Sequence, residues 1–143
     1  MKLGKLLVVA MVALFTMSFA GSVHAQWTLI GQPKFDNEGK ELSRNERHTN
    51  GAIRAMNRVY YNNSRVMKSE IVVTTSKDGS QSRIEEKRDE QNRVTFLMNK
   101  FWNPKVVMVR GIQQWWSYKN ASDRYGEQKN FRYNPATKGW NRF

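Results

Sequence analysis

The chain has 143 residues, no cysteine, and 24 Lys or Arg against 12 Asp or Glu, a formal charge of +12. Without cysteine there is no disulfide, no thiol nucleophile and no thiolate metal site, so a single domain must hold its fold without a covalent staple. A charge of this size favours anionic partners such as phospholipid headgroups, lipopolysaccharide, acidic glycans, nucleic acid or acidic proteins, although it can also serve solubility alone.

Residues 1–25 read as a secretory signal. Lys2 and Lys5 precede an apolar run, Leu6 to Phe19, broken only by Thr16 and Ser18, and Val23-His24-Ala25 puts small side chains where a signal peptidase reads. The run is shorter than the about 20 residues a spanning helix needs, so an uncleaved anchor is the weaker alternative. The reading implies a periplasmic or secreted protein whose mature chain starts at Gln26. Loss of Lys2 and Lys5, with no acidic residue, leaves a charge of +10 on 118 residues. A lipid-anchored form is excluded because the lipobox cysteine is missing.

Residues 26–118 are expected to form a helix-plus-sheet domain and residues 119–143 a basic, aromatic tail. Trp27 to Ile30 suits a short strand, followed by a polar turn through Asp36-Asn37-Glu38-Gly39. Ser43 and Glu46 fit a capping box, with a second possible helix start at Thr49 or Asn50. Ile53, Met56, Val59 and Tyr60 recur at helical spacing, which predicts a helix from about Asn50 to Tyr61. Glu70 to Ser76 is β-branched, and Lys77-Asp78-Gly79-Ser80 predicts a hairpin with a primed turn. The return strand, Ser82 to Arg88, carries only Ile84 as an apolar residue and suits an edge or outer strand. Val94 to Asn99 reads as a strand covered on both faces, Asn103-Pro104 as a break, Val106 to Val109 as a buried strand, Arg110-Gly111 as a turn and Gln114 to Tyr118 as a further strand. The expected fold class is α+β: an N-terminal helix on a curved antiparallel β-meander, half-barrel-like, with a loosely ordered tail holding one strand around Asn130 to Asn134.

Catalytic signatures are weak. One histidine, His48, follows the signal, and neither a nucleophile elbow nor metal-type histidine spacing occurs. Glu85, Glu86, Asp89 and Glu90 are close in sequence, but alternation on a strand separates Glu85 from Glu86 and Lys87 and Arg88 interrupt the group. The expectation is a non-enzymatic protein with no cofactor and no metal. Binding is better supported, because Trp102, Trp115 and Trp116 lie among Lys100, Lys105, Arg110 and Lys119. Rings interleaved with cations suit single-stranded nucleic acid, a membrane interface or a lipid pocket, and equally ordinary sheet packing. Export argues against nucleic acid as the ligand.

The order of Met67-Lys68-Ser69-Glu70-Ile71-Val72-Val73-Thr74, the Lys77–Ser80 turn, Val94-Thr95-Phe96-Leu97-Met98-Asn99, Val109-Arg110-Gly111 and Trp116-Ser117-Tyr118 resembles the outer-membrane lipoprotein-sorting (LolA-like) family over residues 50–120. That resemblance implies a half-open antiparallel sheet closed by helices around a cavity for acyl chains. The expected apolar cleft is lined by Met56, Phe96, Met98, Met108 and Trp116, with a lipid or lipidated protein as partner. Lys100, Lys105, Arg110, Trp115 and Lys119 form the expected interaction surface of the alternative reading, a cationic envelope protein on an anionic membrane or partner. Since neighbours on a strand face opposite ways, Trp116 is expected beside Phe96 and Met98 and Trp115 on the other, more exposed side.

Overall fold

The computed structural model describes residues 26–143; the signal-like segment lies outside the described residues. Nine strands follow one another: β1 (Trp27–Phe35), β2 (Glu41–His48), β3 (Ile53–Tyr60), β4 (Met67–Thr75), β5 (Gln81–Arg88), β6 (Val94–Trp102), β7 (Met108–Ser117), β8 (Glu127–Asn134) and β9 (Gly139–Arg142). Each pairs antiparallel with the next, in the order β1 to β9, and strands touch only their sequence neighbours. The sheet is open and one layer thick. The fold is therefore all-β, not α+β, and no helix occurs among the described residues.

The helix expected from Asn50 to Tyr61 is instead the turn and second strand of the β2–β3 hairpin. Asn50-Gly51 turns the chain, with Gly51 at φ 91°, a conformation that costs glycine nothing and ends a helix. Beyond it, alternation wins over the 3.6 period: Ile53, Ala55 and Val59 share one face, while Arg54, Met56 and Arg58 share the other. Glu46, expected as a helix cap, is instead 7% exposed and accepts two hydrogen bonds from Arg54, 3.1 Å from Nε and 2.9 Å from Nη2.

Three further expectations change. β5 is the fifth of nine strands and pairs on both sides; its charges pair within the strand, as in Arg88–Glu86 at 2.7 Å and Arg83–Glu85 at 3.5 Å. Arg110-Gly111 does not turn: β7 runs straight through it, and Val106 and Val107 sit exposed in the turn before it. The tail supplies two strands, β8 and β9, to the same sheet.

One turn design recurs. At Asp36–Lys40, His48–Ala52, Ser76–Ser80, Asp89–Arg93 and Asn103–Val107 the first residue's N–H meets the fifth residue's carbonyl, and the fourth residue's N–H meets the first residue's carbonyl. This is a three-residue hairpin loop whose fourth residue must adopt positive φ. Gly39, Gly51, Gly79 and Asn92 do so at little cost, but at the fifth turn the residue is Val106, at φ 60°. A β-branched residue there is strained by about 1 kcal/mol or more. Val106→Gly should therefore raise stability by about 1 kcal/mol in a urea titration; an unchanged or lower midpoint would show that the turn carries no strain. Asx side chains brace the same loops. Asp78 Oδ1 accepts the Ser80 N–H at 2.9 Å, and the Ser80 backbone and hydroxyl together hold the Asp78 carboxyl below its usual range.

Among the described residues no second layer lies on either face, so this part of the chain lacks a conventional core. The buried apolar side chains among the described residues are Ala52, Met56, Phe96 and Met98, and no large side chain there is fully buried. Met56 lies on the back face, against Arg44; Phe96 and Met98 lie on the front face. Cross-strand contacts and the stems of long cations supply the cover that a second layer usually gives.

Candidate functional site

The front face of β5 to β9 combines rings and cations in register. Lys87, Phe96, Trp115 and Lys129 stand directly opposite one another across four strands. Phe96 is 5% exposed beneath this row; its ring centroid is 4.4 Å from that of Trp115, and Lys87 Nζ lies 5.2 Å above it. The next row holds Met98, Gln113 and Phe131. Gln113 Nε2 approaches Met98 Sδ at 3.6 Å, and its Oε1 accepts from Trp115 Nε1 at 3.3 Å. In the third row Lys100 opposes Gly111, and Tyr133 opposes Trp140. Trp140 covers Gly111 so closely that a Cβ there would sit 2.8 Å from its Cη2. It meets Tyr133 edge-on at 5.6 Å and carries Lys100 Nζ at 5.9 Å.

Between these rows lies a depression of about 550 Å³, lined by Gln113, Trp115, Lys129, Phe131 and Trp140, with Trp116, Ser117 and the carboxylate Glu127 at its β7–β8 end. Trp115 is 44% exposed. Lys87 and Arg83 share Glu85 as ion-pair partner, at 3.8 and 3.5 Å, whereas Lys100 and Lys129 have no carboxylate partner among the described residues. An apolar groove flanked by two unpaired ammonium groups suits an amphiphile whose anionic group sits beside its apolar part.

The structure does not bring the five expected cleft residues together. Phe96 and Met98 share the front face, but Met56 is on the back face of β3, and Met108 opens β7 opposite Trp102 at the turn end of the sheet. Trp116 alternates to the back, because Phe96 opposes Trp115, although it still borders the groove; Trp115 is the more exposed ring, as expected, and it is the one beside Phe96. The expected interaction surface is split too. Lys100 and Trp115 lie on the front face and Arg110 on the back, while Lys105 and Lys119 occupy loops at opposite ends of β7. Sequence reasoning missed Lys129, Phe131 and Trp140. Their signal was the alternation Lys129-x-Phe131-x-Tyr133, a period of two inside a segment read as loose.

His48 is engaged locally: Nδ1 accepts the Asn50 N–H at 3.1 Å and the ring stands edge-on to Trp27 at 4.9 Å. No cluster of His, Asp or Glu among the described residues could hold a metal ion. Comparison of the chain with protein-family models, with curated proteins and with solved structures finds no match. These comparisons neither support nor remove the resemblance to the lipoprotein-sorting family.

Proposed function

We propose that this is an exported, non-enzymatic protein that binds anionic lipid through the front face of β5 to β9. The observation that carries the reading is the aromatic groove between Trp115, Phe131 and Trp140, uncovered by any other strand among the described residues, with Lys129 in its lining and Lys100 beside Trp140, both without a carboxylate partner there. Lysine is a compact cation that suits a headgroup phosphate, and tryptophan sits readily at the boundary between polar and apolar surroundings. An acyl chain or glycerol backbone fits against the rings without entering an enclosed cavity. The reading joins the two sequence-based expectations: a lipid is the ligand, and the cationic surface is how it is met. Periplasmic placement rests on the signal-like residues 1–25 and belongs to the same proposal.

Co-sedimentation with vesicles tests it. Protein starting at Gln26 should pellet with phosphatidylglycerol/phosphatidylcholine vesicles and not with phosphatidylcholine alone. Lys100→Gln with Lys129→Gln should weaken binding roughly thirty-fold, from about 1 kcal/mol for each cation near an anionic surface. Binding should also fall as salt shortens the screening length from about 10 Å at 0.1 M to about 3 Å at 1 M. Equal pelleting with both vesicle types, insensitive to salt and to the double substitution, would refute the reading.

A further inference from the structure

The back face of the same strands carries a second unpaired cationic patch. Arg110 lies over the Phe101 ring, guanidinium carbon 4.5 Å from the centroid, and Arg132 lies over the Phe143 ring at 4.6 Å. Between them Ile84, Phe101 and Ile112 line a depression of about 410 Å³, and both isoleucines are 42% exposed. The contrast with the N-terminal half of this face is direct. There every arginine is paired: Arg44 with Glu41 and Glu46, Arg54 with Glu46, Arg58 with Glu70. Strands β6 to β9 contribute no carboxylate to the back face, since their one acidic residue, Glu127, aligns with Lys129 and Phe131 on the front.

Stacking on a ring holds each guanidinium plane in place while leaving its N–H fork free, which suits bidentate contact with a phosphate. The exposed Ile84 and Ile112 beside the forks favour a headgroup at an apolar boundary over a free anion. The two patches also stand back to back. Arg110 and Ile112 of β7 alternate with Gly111, which Trp140 covers on the front, and Gln113, which lines the front groove. One planar bilayer can touch only one side of a single-layer sheet. We propose that the back-face patch of Arg110 and Arg132 takes the headgroups of a second anionic membrane, so that the protein bridges two anionic membranes. The proposal rests on the front-face reading for its first contact.

Vesicle clustering tests it separately from binding. With phosphatidylglycerol/phosphatidylcholine vesicles below saturating protein, wild type should raise light scattering through clusters. Arg110→Gln with Arg132→Gln should cut clustering roughly tenfold or more while leaving most pelleting intact. Undiminished clustering by that variant, or wild-type pelleting without clustering, would overturn the bridge and leave the front-face reading standing. Failure of wild type to pellet at all would overturn both. Clustering abolished by millimolar inorganic phosphate at constant ionic strength would assign the arginine pair to a small anion and overturn the membrane assignment.

Discussion

Arg54→Asp is expected to destabilise the protein by about 3 kcal/mol, the lower end of what breaking a buried ion pair costs, because Arg54 is itself 30% exposed in its side chain. The melting temperature should drop by roughly 10 °C. Three losses add up at this position. Glu46 is 7% exposed and loses both hydrogen bonds to its Oε1, leaving only Arg44 at 3.5 Å. The new carboxylate then faces Glu46 directly across β2 and β3. Trp27 also loses the guanidinium seated 4.2 Å above its ring. Arg54→Lys should cost less than half as much, since the charge stays and the bidentate fork goes. Far-UV circular dichroism on heating reads the difference; equal melting temperatures for Arg54→Asp and wild type would show that β2 and β3 are not paired in this register.

The same substitution separates the two readings of residues 50–61. On a helix, Arg54 would stand on the solvent face, opposite Met56, and its replacement would be nearly silent. On β3 the two residues share a face, and Arg54 is committed to Glu46. Residues 53–60 fit both periods, because Ile53, Met56, Val59 and Tyr60 make a helical stripe while Ile53, Ala55 and Val59 make a strand face. What decides between them is Asn50-Gly51, a turn signal one residue before Ala52, and Gly51 lies 12 residues after Gly39 and 28 before Gly79. Turn glycines at this spacing mark a meander, and that cue outweighs a capping pattern at Ser43 and Glu46.

Other parts of the fold were legible because one local signal dominated. Asp78-Gly79 located the β4–β5 hairpin, although its loop is the three-residue form with Gly79 at φ 90° and not the two-residue primed turn. Asn103-Pro104 located the β6–β7 turn. The candidate site was less legible, because it depends on which faces coincide after a turn. A register irregularity between Phe101 and Trp102 sets Phe96 opposite Trp115; without it Phe96 would oppose Gln114 and share a face with Trp116. Alternation along either strand alone fixes relative faces within that strand and leaves the relation between strands open. Trp116 was assigned to the wrong face for that reason, and Met56 because a helix was expected where β3 runs, while Trp115 and Lys100, chosen for a surface, proved to be neighbours of the groove.

Gly111→Val should remove the groove and loosen the edge of the sheet together. Gly111 is the one residue on the front face of β7 without a side chain among Trp115, Gln113 and itself, and Trp140 fills the space so left. A Cβ would stand 2.8 Å from Trp140 Cη2, 3.3 Å from Cζ3 and 3.4 Å from the Tyr133 Cβ, so the indole must swing away. β9 has only four residues and one neighbour, which gives the displaced ring little resistance. Overpacking of this kind costs about 1–3 kcal/mol, and here the strain falls on a strand that can detach. Amide exchange at Phe143, whose N–H meets the Asn130 carbonyl at 3.0 Å, should quicken well before the central strands are affected. Tryptophan emission should shift to the red as Trp140 enters water, and binding to phosphatidylglycerol vesicles should fall with it. Trp140→Ala serves as the companion, because it opens the same groove without crowding Gly111. If both variants bind as wild type does, the ring contributes nothing to the ligand; if only Gly111→Val weakens binding, the effect is one of strand displacement and the groove's apolar wall lies with Trp115 and Phe131.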